Sequence, residues 1–117
     1  MIAHVILFKP RLDLTATERT AFADALAAAW RQIPSVRRFH VGRRVRHGRA
    51  YEHAMVEDYA FAAIVEFETL AGLQQYLDHP AHDHVGRLFG VASAAALAYD
   101  YEMVEPSGLA ALFQKLA

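Results

Sequence analysis

The stretch that decides the fold is Gln74-Gln75-Tyr76-Leu77-Asp78-His79-Pro80-Ala81-His82. A helical run ends here and a new helix is predicted to begin at Pro80, because proline is favoured at the first helical position. His82 then lies in the first turn, where the positive end of the helix disfavours an imidazolium, so we expect a neutral ring that accepts a proton near pH 7. Tyr76 lies across the break, and a phenol and an imidazole facing one cavity are the parts of a proton-transfer site.

The hydrophobic pattern on both sides of this stretch predicts the other elements. Residues 2–8 alternate like a strand. A capping box at Thr15 and Glu18 opens a helix to about residue 33, whose side directed at the sheet is predicted to carry Phe22, Leu26, Ala29, Trp30 and Ile33. Further strands are predicted over 36–45, 59–67 and 95–104, helices over 69–77 and 80–90, and an exposed connection over 47–58. This order predicts an α+β protein with the ferredoxin-like βαββαβ arrangement, an antiparallel sheet and helices on one face.

One face of the first strand predicts a second subunit. It carries Ala3, Val5 and Leu7, which are too apolar for water, while the helices are expected on the opposite face. The economical solution is a homodimer in which two sheets face each other across a two-fold axis. Residues 1–105 form the predicted domain and 106–117 its helical tail. The tail is predicted to pack either across the partner or back on its own subunit, through Leu109, Leu112, Phe113 and Leu116.

Composition restricts the class of protein. The chain has 117 residues, of which 55% are hydrophobic and 21% charged, so one globular domain with one core is expected. The net charge of −1 predicts neither nucleic acid nor membrane as a partner. The absence of cysteine excludes disulfides and thiol catalysis. No basic leader or long apolar run is visible, so a cytoplasmic location is expected.

Several motifs together resemble one family. The pattern Tyr-x-x-His-Pro-x-His at 76–82, after a strand ending at 65–68, is similar to the stress-responsive dimeric α/β-barrel domains, the Dabb family. The first strand with its early His4, the segments 33–36 and 39–42, and the last-strand segment 98–101 agree with that family in order and spacing. The resemblance covers about residues 2–105 and implies a dimeric α/β barrel, in agreement with the sheet-to-sheet homodimer that the apolar face predicts.

Four residues form the predicted site. The first and last strands are neighbours in this topology, so His4 and Asp100 are expected on one face, near the helix that carries His82. We predict His82 as the base, Asp100 as the group that orients it, Tyr76 as the donor to a substrate oxygen and His4 as a second polar wall. The resemblance implies the same residues, because they match the catalytic positions of a plant cyclase of the family that closes a poly-β-keto chain.

Three functional interpretations remain open at the level of sequence. The first is a pocket that binds a small apolar carbonyl or phenolic compound, with cofactor-free acid–base chemistry of the cyclase kind. The second is a non-enzymatic stress-response or structural barrel protein, in which the His–Asp pair is a buried polar network that fixes the helix. The third is a cofactor-free monooxygenase of the antibiotic-biosynthesis type, which uses a similar barrel.

Two further clusters are interpreted as structural. His79, His82 and His84 have spacings that suggest a metal, but His84 is rotated away from His82 and neighbouring aspartates do not complete a ligand shell, so neither metal nor organic cofactor is predicted. The basic run between 37 and 49 places alternate arginines on opposite faces of a strand, which favours a solvated rim over a nucleic-acid site.

Overall fold

The computed structural model describes residues 1–114 and confirms the predicted order of elements. Its ten elements are β1 (Ile2–Pro10), α1 (Ala16–Gln32), β2 (Arg38–Arg43), α2 (Ala50–Ala54), β3 (Phe61–Phe67), α3 (Leu70–Asp78), α4 (Pro80–Ala92), β4 (Ser93–Glu102), a 3₁₀ turn (Pro106–Gly108) and α5 (Leu109–Phe113). Two details differ from the prediction. The second strand is shorter, and the connection between β2 and β3 contains the short helix α2. Leu116 of the predicted tail helix lies outside the described residues.

The four strands form one antiparallel sheet in the order β2-β3-β1-β4, as the ferredoxin-like arrangement requires. The register between β1 and β4 places Ile2 opposite Glu102, His4 opposite Asp100 and Ile6 opposite Ala98. Directly opposed residues in neighbouring strands point to the same face of a sheet. His4 and Asp100 therefore share a face, as predicted.

The core lies between the sheet and the helices on one side of it. Phe67, Ile33 and Val65 are its largest fully buried side chains. The buried residues of α1 are Ala25 and Ala29, small side chains that let this helix approach its neighbours closely. The prediction that Trp30 packs on the sheet is wrong. Trp30 is 46% exposed, because it follows Ala29 by one residue and is rotated by about 100° around the helix axis.

The helix starts use the local chemistry that the sequence predicts. Thr15 and Glu18 form a reciprocal capping box at the start of α1. At the α3–α4 junction one residue serves both helices: the His79 backbone N–H donates to the carbonyl of Tyr76, and the His79 Nδ1 accepts from the backbone N–H of Ala81 at 3.0 Å. Pro80 then occupies the first turn of α4. This junction sets the relative position of Tyr76 and His82.

The other face of the sheet carries no helix of the described chain. Its exposed apolar side chains include Ile64, Leu97, Tyr99 and Tyr101, and Val5 and Leu7 are only half-buried there. We call this surface the open face. Two segments lie outside the sheet. The arm (residues 44–60, between β2 and β3) borders the open face at Leu7 and Leu97, and the tail (residues 103–114) follows β4. Within the described residues, no helix is both long and apolar enough to cross a membrane.

Candidate functional site

A cavity of about 350 Å³ lies between the sheet and helices α3 and α4. Its walls are mostly apolar, and its polar side chains are His4, Tyr76 and His82. Small residues make the space: Ala96 and Ala98 on β4 and Gly86 on α4 leave room that larger side chains would fill. Binding sites for small molecules commonly combine such an apolar wall with a few convergent polar groups.

His4 and Asp100 form a hydrogen-bonded pair at one wall of this cavity. Nδ1 of His4 lies 2.6 Å from Oδ1 of Asp100, and His4 is 5% exposed. An ionised carboxylate can only accept, so Nδ1 carries the proton and donates a hydrogen bond to Asp100. In the neutral ring, Nε2 is then left with a free lone pair. This atom is buried and has no hydrogen-bond partner among the described residues.

Tyr76 and His82 stand next to His4 and complete a group of three rings. The ring centroids are 4.7 Å apart for Tyr76 and His82, 5.8 Å for His4 and Tyr76, and 6.4 Å for His4 and His82. Tyr76 is 2% exposed. The rings approach one another at steep angles, which is a favourable arrangement for aromatic edges and faces.

Burial keeps both of these groups neutral. It raises the pKa of the Tyr76 hydroxyl to about 12, so the phenol retains its proton. Burial also lowers the pKa of His82, and repulsion from a protonated His4 lowers it further, against smaller opposing effects of Asp83 and the Leu77 carbonyl. The first turn of α4 acts in the same direction as burial, as the sequence predicts. At pH 7 the site therefore offers a phenol donor and a neutral imidazole.

The hydrogen-bond partner of Asp100 differs from the sequence prediction. Asp100 was expected to orient His82, but its carboxylate accepts from His4. The reason is the β1–β4 register, which places His4 and Asp100 directly opposite each other, whereas His82 approaches the site from the helix layer. All four predicted residues lie in one region, but the Asp100 carboxylate orients His4 and not His82.

The small residues that shape the cavity were not predicted from the sequence. The alanines of β4 have no reactive group, and the only sign of them in the sequence is the run of small residues at 94–96 and 98.

The histidines near the α3–α4 junction do not form a metal site. His79 caps α4, and His84 is exposed to solvent. Over residues 1–114, no group of three or more His, Cys, Asp or Glu could hold a metal ion.

Comparison with solved structures gives several likenesses of high coverage. One is a dimeric protein of ferredoxin-like fold from Bacteroides fragilis, with 26% identity, a TM-score of 0.64 and coverage of 87% of this chain and 95% of that one. Hydroxynitrile lyase from Passiflora edulis has 12% identity and a TM-score of 0.75, with coverage of 89% and 94%. SnoaB, a cofactor-independent oxygenase from Streptomyces nogalater, has 17% identity and a TM-score of 0.62, with coverage of 89% and 93%. At such identities the likeness to the lyase and the oxygenase concerns the fold alone.

The comparison with curated proteins gives no match. The sequence profile of the Dabb family, described as the stress responsive A/B barrel domain, matches residues 2–103. That span includes all four strands and the four residues of the candidate site. The chain therefore belongs to the Dabb family.

Proposed function

We propose that the cavity binds a small apolar carbonyl or phenolic compound and catalyses proton transfer on it without a cofactor. The observation that carries this proposal is the buried Nε2 of His4, which has no partner in the described chain and belongs to a residue that lines the cavity. A buried polar atom without a partner costs about 1–3 kcal/mol. A ligand with a polar group at this point would remove that cost.

The geometry favours His4 as the proton acceptor. Proton uptake at Nε2 gives an imidazolium whose other nitrogen already donates to the Asp100 carboxylate. The same uptake at His82 is opposed by burial, and by charge repulsion once His4 carries its own proton. This assignment exchanges the roles that the sequence analysis gave to the two histidines. His82 then acts as a neutral hydrogen-bond partner for the substrate.

The proposed reaction begins at a carbon next to a carbonyl. The proton of this carbon moves to Nε2 of His4, and the C–H electron pair becomes the double bond of an enolate whose oxygen takes up the negative charge. The Tyr76 hydroxyl, which burial keeps protonated, donates a hydrogen bond to that oxygen. The enolate carbon then either recovers the proton from His4 or attacks a second carbonyl of the same molecule. In the second case the attacked C=O becomes an alkoxide, which takes the proton from His4 and so regenerates the base.

A screen of small β-diketones and phenols against the purified protein tests this proposal. Compounds that bind are assayed for turnover with His4→Ala, Tyr76→Phe and His82→Ala. His84→Ala is the matched control, because it removes an exposed imidazole from the same helix. We expect His4→Ala to remove turnover and His84→Ala to leave it unchanged. Turnover that survives His4→Ala but not His82→Ala would return the role of the base to His82.

A second candidate function is binding without turnover. It is favoured by the direct bond between His4 and Asp100, since such a pair also fixes β4 to β1 when no chemistry occurs. In that case His4→Ala lowers the melting temperature, and no compound that binds to the wild-type protein is converted. The same screen and melting curves separate the two functions.

We also propose that two copies of the chain pair through their open faces. The open face is apolar and uncovered in the described chain, and the similar protein from Bacteroides fragilis is dimeric. Burial of such a surface is the main driving force for stable association. Light scattering at micromolar concentration tests the pairing, and Leu97→Asp on the open face is expected to give a monomer.

A further inference from the structure

The tail is apolar and makes little contact with its own subunit. The substantial contacts of α5 are with the preceding 3₁₀ turn. Its contacts with the strands and the other helices of the described chain are at most slight. Leu109, Leu112 and Phe113 are spaced to share one side of this helix, and Phe113 is 59% exposed. The radius of gyration is 16.1 Å, whereas a compact domain of this size has about 13 Å. Such a projecting apolar segment is typical of a chain that has a partner.

The tail nevertheless has a defined local structure. A Cβ added at Gly108 would lie 3.2 Å from Cβ of Val104, so the 3₁₀ turn closes tightly on the end of the last strand. This turn fixes the direction in which α5 leaves the sheet. Residues 104–114 of the tail lie beyond the span 2–103 that matches the family.

A groove suited to such a helix lies at the opposite end of the open face. It has a volume of about 520 Å³ and is formed where the arm overhangs the sheet. Its floor is Leu7 and Leu97, and the arm contributes apolar side chains from Val45, Met55 and Val56. Val56 is 95% exposed, so this wall of the groove is uncovered in the single chain.

The pairing of two sheets brings the tail of one copy to the groove of the other. In each chain the tail leaves from the sheet end marked by Ile2 and Glu102, while the groove lies at the end marked by Leu7 and Leu97. A two-fold axis that runs across the strands, between two facing sheets, reverses these ends. We therefore infer that Leu109, Leu112 and Phe113 dock into the groove of a second copy of this chain. This inference rests on the pairing proposed above.

Disulfide trapping tests the contact, because the chain has no cysteine of its own. A chain with Phe113→Cys and a longer, tagged chain with Met55→Cys are co-expressed and oxidised. We expect a covalent species with the mass of one chain of each kind. Leu12→Cys replaces Met55→Cys as the control, since Leu12 is fully exposed and does not line the groove, and it should give no such species.

The double variant Phe113→Cys/Met55→Cys distinguishes the partner's groove from the chain's own. Cross-linked dimers support the inference, and an internal link within one chain overturns it. Leu112→Glu should weaken dimerisation at least tenfold, while Ala111→Glu, on the other side of α5, should not. A wild-type monomer would contradict the pairing itself. A stable dimer with neither cross-link nor sensitivity to Leu112→Glu would contradict the docking alone.

Discussion

His4 and Asp100 are separated by 95 intervening residues, yet Nδ1 of His4 donates to Oδ1 of Asp100 over 2.6 Å. The bond settles the tautomer of the ring, because the carboxylate holds the proton on Nδ1. It also places a negative charge where it stabilises an imidazolium. In the proposed reaction these two residues act together as the proton acceptor, and the accepting atom is Nε2 of His4.

Asp100→Asn should weaken this unit without removing the hydrogen bond. The amide oxygen can still accept from Nδ1, but the negative charge is lost. We expect turnover of a substrate found in the screen to fall by a factor within the range of about 10²–10⁴ that is typical of general base catalysis. Asp78→Asn, on the exposed end of α3, is the control. Unchanged turnover in Asp100→Asn would contradict the role of the carboxylate.

Tyr76→Phe should reduce turnover while leaving the packing of the ring intact. The substitution should also change how the stability of the protein depends on pH above pH 9. The pKa of Tyr76 is about 12 in the folded protein against an ordinary 10.0, so unfolding releases a proton between these values and stability falls as the pH rises through them. Melting curves from pH 9 to 12 should decline less steeply for Tyr76→Phe than for the wild type. Tyr51→Phe, on the exposed arm, should follow the wild type.

His82 should make the fold sensitive to acid. Its pKa is lowered by burial, so the unfolded chain binds the proton more readily and stability decreases as the pH falls below the ordinary value of 6.5. Urea unfolding at pH 7.5 and pH 5.5 measures this difference. We expect the difference to shrink in His82→Gln and to persist in His84→Gln. An equal acid sensitivity in both variants would assign the effect to other groups.

Ala98→Leu should partly fill the cavity from the side of the sheet. Ala98 lies opposite Ile6 and lines the space next to His4, so the added carbons occupy volume that a ligand would use. We expect affinity for any compound found in the screen to drop at least tenfold, with little change in the melting temperature. Ala21→Leu adds the same volume on the exposed side of α1 and serves as the control. Tight binding by Ala98→Leu would place the ligand elsewhere.

The fold could be predicted because its signals are local. Alternation in β1, the capping box at Thr15 and the break at Pro80 each depend on neighbouring residues. The short helix α2 was not predicted. Its Glu52 accepts hydrogen bonds from the backbone N–H groups of His47 and Gly48, just before the helix, and this arrangement has no simple capping motif in the sequence. Trp30 was misplaced because small alanines rather than the large aromatic occupy the buried side of α1.

The site could be predicted only in part, for a related reason. Strand adjacency places His4 and Asp100 on one face, but the register that pairs them depends on the whole β1–β4 ladder and has no local signal. Without that register, Asp100 could be matched to either histidine. The helix start at Pro80 predicted a neutral His82, but the main cause in the structure is burial, which has no local signal in the sequence.

The four residues of the candidate site are expected to come together at different stages of folding. Tyr76 and His82 lie three residues on either side of His79, so their mutual position is complete as soon as two short helices form. His4 and Asp100 meet only when the chain's two distant ends close into adjacent strands, a slow event because long loops must be ordered first. Proton-accepting activity would therefore appear in refolding experiments later than helical signal. Under the proposed function, the recovery of turnover during refolding therefore reports the pairing of β4 with β1.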